Sequence, residues 1–301
     1  MTKEYTYVAS IGFFDGVHIG HRFLIEQVKE EAVRRGMQSM VVTFPVHPRK
    51  VLQADYQPCL LTTNEEKLTL LGDTGIDRIV SLDFTKDMAE MSACDFMALL
   101  HREHGVGVLV VGYDHRFGHG RAEGFEEYVS YGQRLGMDVV RARELPGGAS
   151  STAVRRALER GDVRTANKTL GYSYFLQGAV VHGFGNGARL GYPTANLRTD
   201  GEKQIPANGV YYAHVSGEAL GSGRWAGALN IGVRPTLENG TERSIEVFIL
   251  GFQGDLYGER IRIDILDFLR TERKFDSVEA LREQLMEDER ACKERMIMEQ
   301  N

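Results

Sequence analysis

Residues Ser10-Ile11-Gly12-Phe13-Phe14-Asp15-Gly16-Val17-His18-Ile19-Gly20-His21 decide how the first half of this chain is read. An apolar run, Tyr7 to Ile11, enters the stretch. Apolar residues at helical spacing, Phe23, Leu24, Val28 and Ala32, leave it. The order is strand, tight loop, helix start. Such loops present backbone N–H groups and a helix N-terminus to an anion. Gly12, Phe13, Asp15 and Gly16 form the body of the loop, and His18 and His21 sit where it becomes helix. Both rings can therefore lean toward whatever the N–H groups hold. Imidazole donates a hydrogen bond to phosphate oxygen and can carry charge near neutral pH. The stretch is read as an ATP-phosphate site. A metal pair or an incidental helix cap are the other readings of two histidines at this spacing.

Composition bounds the remaining classes. The 301 residues suggest two domains. The hydrophobic share of 42% is ample for packed cores. A formal net charge of −6 speaks against a nucleic-acid partner, which calls for a basic surface. Met1-Thr2-Lys3-Glu4-Tyr5 carries no apolar core of a secretory signal. No run approaches the roughly 18 apolar residues of a membrane span. Cys59, Cys94 and Cys292 are scattered and odd in number, which predicts a reduced, cytoplasmic protein without a disulfide framework or zinc site.

From Tyr5 to about Gly171 strand and helix signals alternate. Strands are expected at Gln38–Phe44, Arg78–Leu82, Val108–Gly112 and Asp138–Ala142. Thr63-x-x-Glu66 is a capping box opening a helix that ends at Gly72. Ser92-x-x-Asp95 resembles a second box, its helix stopping at Gly105, and Glu126–Leu135 is a helix closed by Gly136. A short capped helix, Gly161-Asp162 to Leu170-Gly171, ends the first domain. Alternation of this kind implies a parallel sheet covered on both faces, with ligands at the carboxyl ends of the strands.

Two further loops fall on that edge. Gly112-Tyr113-Asp114-His115-Arg116-Phe117-Gly118-His119-Gly120-Arg121 offers Arg116 and Arg121 to phosphate and Asp114 to ribose or base. The run Gly147-Gly148-Ala149-Ser150-Ser151-Thr152-Ala153-Val154-Arg155 brings hydroxyls, helix N–H groups and an arginine onto one face. Ser151, Thr152 and Arg155 are the candidates for a second anion cradle, the alternative being a plain N-cap.

After Gly171 the periodicity shifts toward two and glycines recur. Leu176–His182, Gly209–Val215, Trp225–Asn230, Ser244–Leu250 and Arg260–Phe268 are strand candidates, which suggests an antiparallel barrel or sandwich. Between the first two lies a loop with Gly183, Gly185 and Gly187, which lets backbone amides approach phosphate closely. Thr194 and Asn196 then stand two apart, so in an extended chain they share a face. A hydroxyl and an amide carbonyl are hard oxygen ligands suited to Mg²⁺ beside ATP phosphates. Glu246 shares a strand face with Phe248 and Leu250, and a carboxylate on an apolar face is partnered or functional. A long helix, Val278 to about Met298 and capped by Ser277, closes the chain. Its stripe Val278, Leu281, Leu285, Cys292 and Met296 is expected to pack into a core.

The pattern G-x-F-D-G-V-H-x-G-H resembles nucleotidyltransferases with an H-x-G-H signature, and specifically the adenylyltransferase half of bacterial FAD synthetase. The Ser150–Arg155 run resembles the S-S-T-x-x-R motif of that family. Residues 178–197 resemble the riboflavin kinase signature, in the family's order, and Asp255–Gly258 and Leu269–Phe275 match further stretches. The resemblance implies an α/β chain: an N-terminal doubly wound parallel-sheet domain, 1–172, and a C-terminal antiparallel β-barrel domain with a long terminal helix, 173–301. It implies riboflavin kinase and FMN adenylyltransferase activities. Riboflavin, FMN and FAD are then substrates and products, ATP is co-substrate and Mg²⁺ cofactor. It makes His18 and His21 catalytic, Glu246 the general base and Arg270 a flavin or phosphate contact. Partners are small molecules, with no nucleic acid and no membrane, and a weak homo-oligomer is compatible with the reading. The chain departs from the family at His115, usually aromatic, at Ala188-Arg189, where the basic residue usually follows the glycine directly, and at Phe248, often histidine. Two alternatives stay open: an H-x-G-H nucleotidyltransferase acting on another small substrate, and a catalytically inactive flavin-binding sensor.

Overall fold

The computed structural model describes residues 5–53, 55–57, 59–121, 123–183, 187, 190–235 and 241–300. The chain forms two compact units, Met1–Ser151 and Thr152–Asn301, each with its own sheet.

The first unit holds five parallel strands: β1 Tyr7–Ile11, β2 Gln38–Thr43, β3 Arg78–Ser81, β4 Val106–Val111 and β5 Asp138–Arg141. They run in the order β3-β2-β1-β4-β5. β1, β2 and β4 are almost wholly buried, which is why they read as apolar runs without alternation. Six helices join them: α1 Ile19–Arg35, α2 Pro48–Leu52, α3 Asn64–Gly72, α4 Lys86–Glu90, α5 Ala93–His104 and α6 Phe125–Leu135. One sheet face, including Ala9, Ile11, Met40, Val42, Leu109 and Val111, packs on Phe96, Met97 and Leu100 of α5 and Tyr128 of α6. α1 buries Ile25, Val28 and Ala32.

The capping box at Thr63 and Glu66 forms as expected, with both reciprocal bonds present. At Ser92 the outcome differs. Its hydroxyl accepts from the Asp95 N–H but donates to the Asp95 carboxylate, so the acidic residue reaches the hydroxyl in place of the cap's own N–H. Asp95 is one methylene shorter than the glutamate of a full box.

Strand order reverses between β1 and β4, and the segments leaving these neighbours begin at Gly12 and Gly112. An open α/β sheet places its ligand crevice at this switch point.

α7 Ser151–Glu159 and α8 Val163–Leu170 lead into the second unit's closed antiparallel barrel, ordered β10-β7-β6-β11-β8-β9. Its strands are β6 Phe175–Val181, β7 Thr194–Arg198, β8 Gly209–Ser216, β9 Trp225–Pro235, β10 Thr241–Ile249 and β11 Arg260–Arg270. Leu176, Val180, Leu197, Val215, Leu229, Ile231, Val247 and Ile263 are all buried. Closure removes the edges that a six-stranded open sheet would expose. α8 is tied to β11, where the Asn167 Nδ2 donates to the Ile265 carbonyl at 2.8 Å.

The terminal helix, α9 Val278–Gln300, corrects the expected apolar stripe. Val278 is 59% and Met296 37% exposed, whereas Gln284, Asp288 and Cys292 are buried. The packed row steps by four, and the wall it meets is polar. Arg270 donates through Nε and Nη2 to the two oxygens of Asp288, both at 2.7 Å. Arg273 bonds Gln284, and the Arg295 Nε donates to Asp267 at 2.8 Å. Leu281 and Leu285 are half-buried, and Cys292 keeps the apolar role in a small cluster with Tyr212 and Ala226.

Candidate active sites

In the first unit, His18 is the N-cap of α1. Its Nδ1 accepts from the His21 backbone N–H at 3.3 Å, which leaves the proton on Nε2. The two imidazoles stack, with centroids 3.6 Å apart and planes 16° apart. His18 is 5% exposed, and burial pushes its pKa down to about 4. His21 is held well below its ordinary value, first by burial and then by the nearby His18 and His115. Both rings are therefore neutral at pH 7. The expectation of charge near neutral pH gives way to neutral N–H donors, because desolvation disfavours the charged form. The His21 Nδ1 is buried and has no hydrogen-bond partner among the described residues.

The loop before them is strained and pinned. Phe14 and Val17 adopt φ of 57° and 36°, in the left-handed region that side chains rarely enter. The carboxylate of Asp15, 4% exposed, accepts from the Leu61 N–H at 2.9 Å and the Thr62 N–H at 3.1 Å. The Gly16 N–H donates to the Thr62 hydroxyl, and the Gly12 N–H to the Val42 carbonyl. The Phe13 carbonyl accepts from the Thr43 hydroxyl. The structure thus uses Asp15 and Gly16 to hold the loop in its conformation; sequence reasoning missed Leu61 and Thr62, whose contribution is mainly backbone. The Ser151 hydroxyl donates to the Asp15 carbonyl at 2.9 Å, so the hydroxyl run does reach this loop. Thr152, exposed, lies on the first turn of α7, and Arg155, half-buried, one turn on from Ser151.

Asp114 and Arg116, after β4, are both exposed. The loop carrying them is anchored by Tyr128, fully buried, whose hydroxyl accepts from the Phe117 N–H and whose ring stacks on Phe117 at 4.3 Å. The Arg121 side chain lies outside the described residues.

In the second unit, the strand register gathers the oxygen donors. Glu246 of β10 stands opposite Asn196 of β7 and opposite Asn230 of β9, and Phe248 stands opposite Thr194. Directly opposed residues share a face, so Thr194, Asn196, Glu246 and Phe248 project together, away from the buried Ile245, Val247 and Ile249. The Thr194 hydroxyl reaches diagonally and donates to the Glu246 carboxylate at 3.2 Å. Phe248 meets Tyr192 edge-on at 5.0 Å.

Glycine is required where the loop crosses this face. A Cβ on Gly183 would lie 2.3 Å from the Asn196 amide, and one on Gly187 would lie 2.3 Å from the Tyr192 carbonyl. The Gly187 carbonyl accepts from both Leu190 and Tyr192 N–H groups, which turns the chain back toward Thr194. Gly185, Ala188 and Arg189 lie outside the described residues. A hydroxyl, an amide oxygen and a carboxylate on one face beneath a glycine backbone form a hard-oxygen donor set that fits Mg²⁺. Arg270 is engaged by Asp288, so in this structure it docks α9.

Comparison with known proteins agrees with this two-unit arrangement. Residues 1–153 match the family described as FAD synthetase, and residues 170–296 the family described as riboflavin kinase. The chain is 36% identical to the bifunctional riboflavin kinase/FMN adenylyltransferase of Escherichia coli (strain K12), covering 95% of this chain and 92% of the relative. The counterpart from Bacillus subtilis (strain 168) is 33% identical, with 93% and 90% covered. A crystal structure described as a macrolide-efflux protein from Streptococcus pneumoniae superposes with a TM-score of 0.87 at 30% identity, covering 97% of this chain and 95% of that one. No described helix here is long and apolar enough to cross a membrane. With both halves matched in order and whole-length relatives above 30% identity, this chain belongs to the bifunctional riboflavin kinase/FMN adenylyltransferase family.

Proposed function

We propose that this chain converts riboflavin to FMN and then FMN to FAD, each step at its own site. Residues 173–301 carry the kinase and residues 1–172 the adenylyltransferase. The observation that carries the reading is the Thr194–Glu246 hydrogen bond with Asn196 opposite in register, a reactive carboxylate beside oxygen donors that a flavin-binding module alone has no use for.

In the kinase step, the terminal ribityl hydroxyl attacks the γ-phosphorus of ATP, giving FMN and ADP. Glu246 orients that hydroxyl and accepts its proton. The backbone at Gly183 and at Gly187 approaches the phosphates. Thr194 and Asn196 would hold Mg²⁺, which when bound neutralises charge on the phosphate oxygens. The Thr194 hydroxyl keeps the Glu246 carboxylate aimed across the strand pair.

In the adenylyltransferase step, an FMN phosphate oxygen attacks the α-phosphorus of a second ATP and pyrophosphate leaves. The nucleophile is already anionic at pH 7, so no strong base is needed and the low pKa of His18 and His21 is no obstacle. Their N–H groups and the α1 N-terminus stabilise charge that develops on the phosphoryl oxygens. Gly12, Phe13 and Gly16 shape the loop and Asp15 fixes it. The Ser151 hydroxyl extends the cradle beside Asp15, Thr152 and Arg155 continue the S-S-T-x-x-R motif as phosphate candidates, and Asp114 and Arg116 address the nucleoside and phosphates. Three free cysteines, one of them buried, suit a reduced cytoplasmic setting.

Incubation with riboflavin, ATP and Mg²⁺, followed by chromatography, tests the reading. FMN and then FAD are expected, with ADP and pyrophosphate. Product limited to a nucleotide adduct of another substrate, or bound flavin without ATP turnover, would refute it.

A further inference from the structure

Lys67, on α3, is 1% exposed, a burial seldom seen for lysine. Its Nζ donates to the Phe44 carbonyl just beyond β2 at 2.5 Å. The same Nζ stands 4.1 Å from the centroid of the Phe13 ring. The ring of His47 meets Phe13 edge-on at 4.7 Å. Asp15, two residues on, lies close enough to favour the lysine's charge, although burial brings its pKa down to about 8.

A methionine would fill much the same space with no charge to desolvate. The ammonium instead makes one hydrogen bond, to the backbone just beyond β2, and one cation–π contact, to Phe13 in the loop that presents His18 and His21. The Phe13 backbone is held by the Thr43 hydroxyl, but its side chain precedes Phe14, whose φ of 57° is strained, and carries no polar atom of its own to anchor it. From this geometry we infer that Lys67 is a positioning residue for adenylyl transfer. It acts through Phe13 and Asp15, clamping the entrance of the strained turn so that the His18 and His21 N–H groups meet the α-phosphate in register. The inference rests on the adenylyltransferase reading above. It adds a residue outside the G-x-F-D-G-V-H-x-G-H stretch, 46 positions beyond His21 in sequence.

The test measures FAD formation from FMN and ATP in Lys67→Met and Lys67→Gln chains. Gln keeps a donor for the Phe44 carbonyl but loses the cation. The kcat is expected to fall about tenfold or more in both, the scale of misplacing a catalytic group by a fraction of an ångström to an ångström, while KM for ATP and FMN changes less than about twofold. FMN formation from riboflavin stays unchanged. Combined with Phe13→Leu, the Lys67→Met loss is expected to shrink, because the path through Phe13 is already broken. If Lys67→Met fails to fold, Lys67→Gln decides. A folded variant with wild-type kcat, or losses that multiply independently with Phe13→Leu, would overturn the assignment. A wild-type chain that makes no FAD would instead overturn the parent reading.

Discussion

The Nδ1 of His18 caps α1 by accepting from the backbone of His21, and the two rings lie stacked 3.6 Å apart. Protonating His18 would break the cap and place a cation against its neighbour's ring in a buried site. This one relationship couples helix start, loop shape and protonation state, and it sets the first prediction.

Stability should fall in mild acid. His18 takes up a proton near its ordinary value of 6.5 in the unfolded chain but only at about 4 in the folded one. Below 6.5 the unfolded state therefore binds the extra proton, so stability declines as pH drops from 6.5 to about 4 and this contribution is flat beneath that. The loss from His18 is about 3 kcal/mol. Thermal melts of wild type and His18→Gln between pH 7 and pH 4 check it: the variant should show the shallower decline, and equal slopes would contradict the assignment.

Gly183→Ala should disable one activity alone. Its Cβ would collide with the buried Asn196 amide, displacing either the loop or a proposed Mg²⁺ ligand. FMN formation is expected to drop by about tenfold or more, in line with misplacement of groups around the phosphates. FAD formation from supplied FMN should be unaffected. Initial rates of the two half-reactions measure both effects.

Asp288→Ala should loosen α9. The side chain of Asp288 is 6% exposed and that of Arg270 22%, so removing the carboxylate leaves a partly buried guanidinium unpaired. The expected cost is about 3 kcal/mol. Urea unfolding would report it, and the double variant Asp288→Leu with Arg270→Met should recover part of the loss.

Much of the fold is legible in the sequence because its signals are local. Apolar strand runs, the Thr63–Glu66 box and glycines after helices need only near neighbours to act. In the sequence β7 shows only as an extended pair of residues, since Thr194–Arg198 is short and gains strand identity by pairing with β10 and β6 on either side. The α9 stripe holds at Cys292 but not at Val278 and Met296, for a related reason. Which helix face packs depends on the wall it meets, and Asp267, Arg270 and Arg273 make that wall polar. At the sites, residue types were readable but tasks were not. Asp15 reads as a ligand contact, and its tie to the backbone of Leu61 and Thr62 has no signal in the sequence. Lys67 sits among Asn64-Glu65-Glu66 on a helix that reads as surface, and only burial distinguishes it.

The central claim is that two chemically separate sites share this chain, and the most direct measurement is the product spectrum of His21→Ala and Glu246→Gln from riboflavin, ATP and Mg²⁺. His21→Ala should accumulate FMN and form FAD ~10²-fold more slowly, the scale of losing one preorganised donor. Glu246→Gln should make almost no FMN yet still convert supplied FMN to FAD. If either substitution, in a folded protein, abolished both reactions, the two-site account would be wrong.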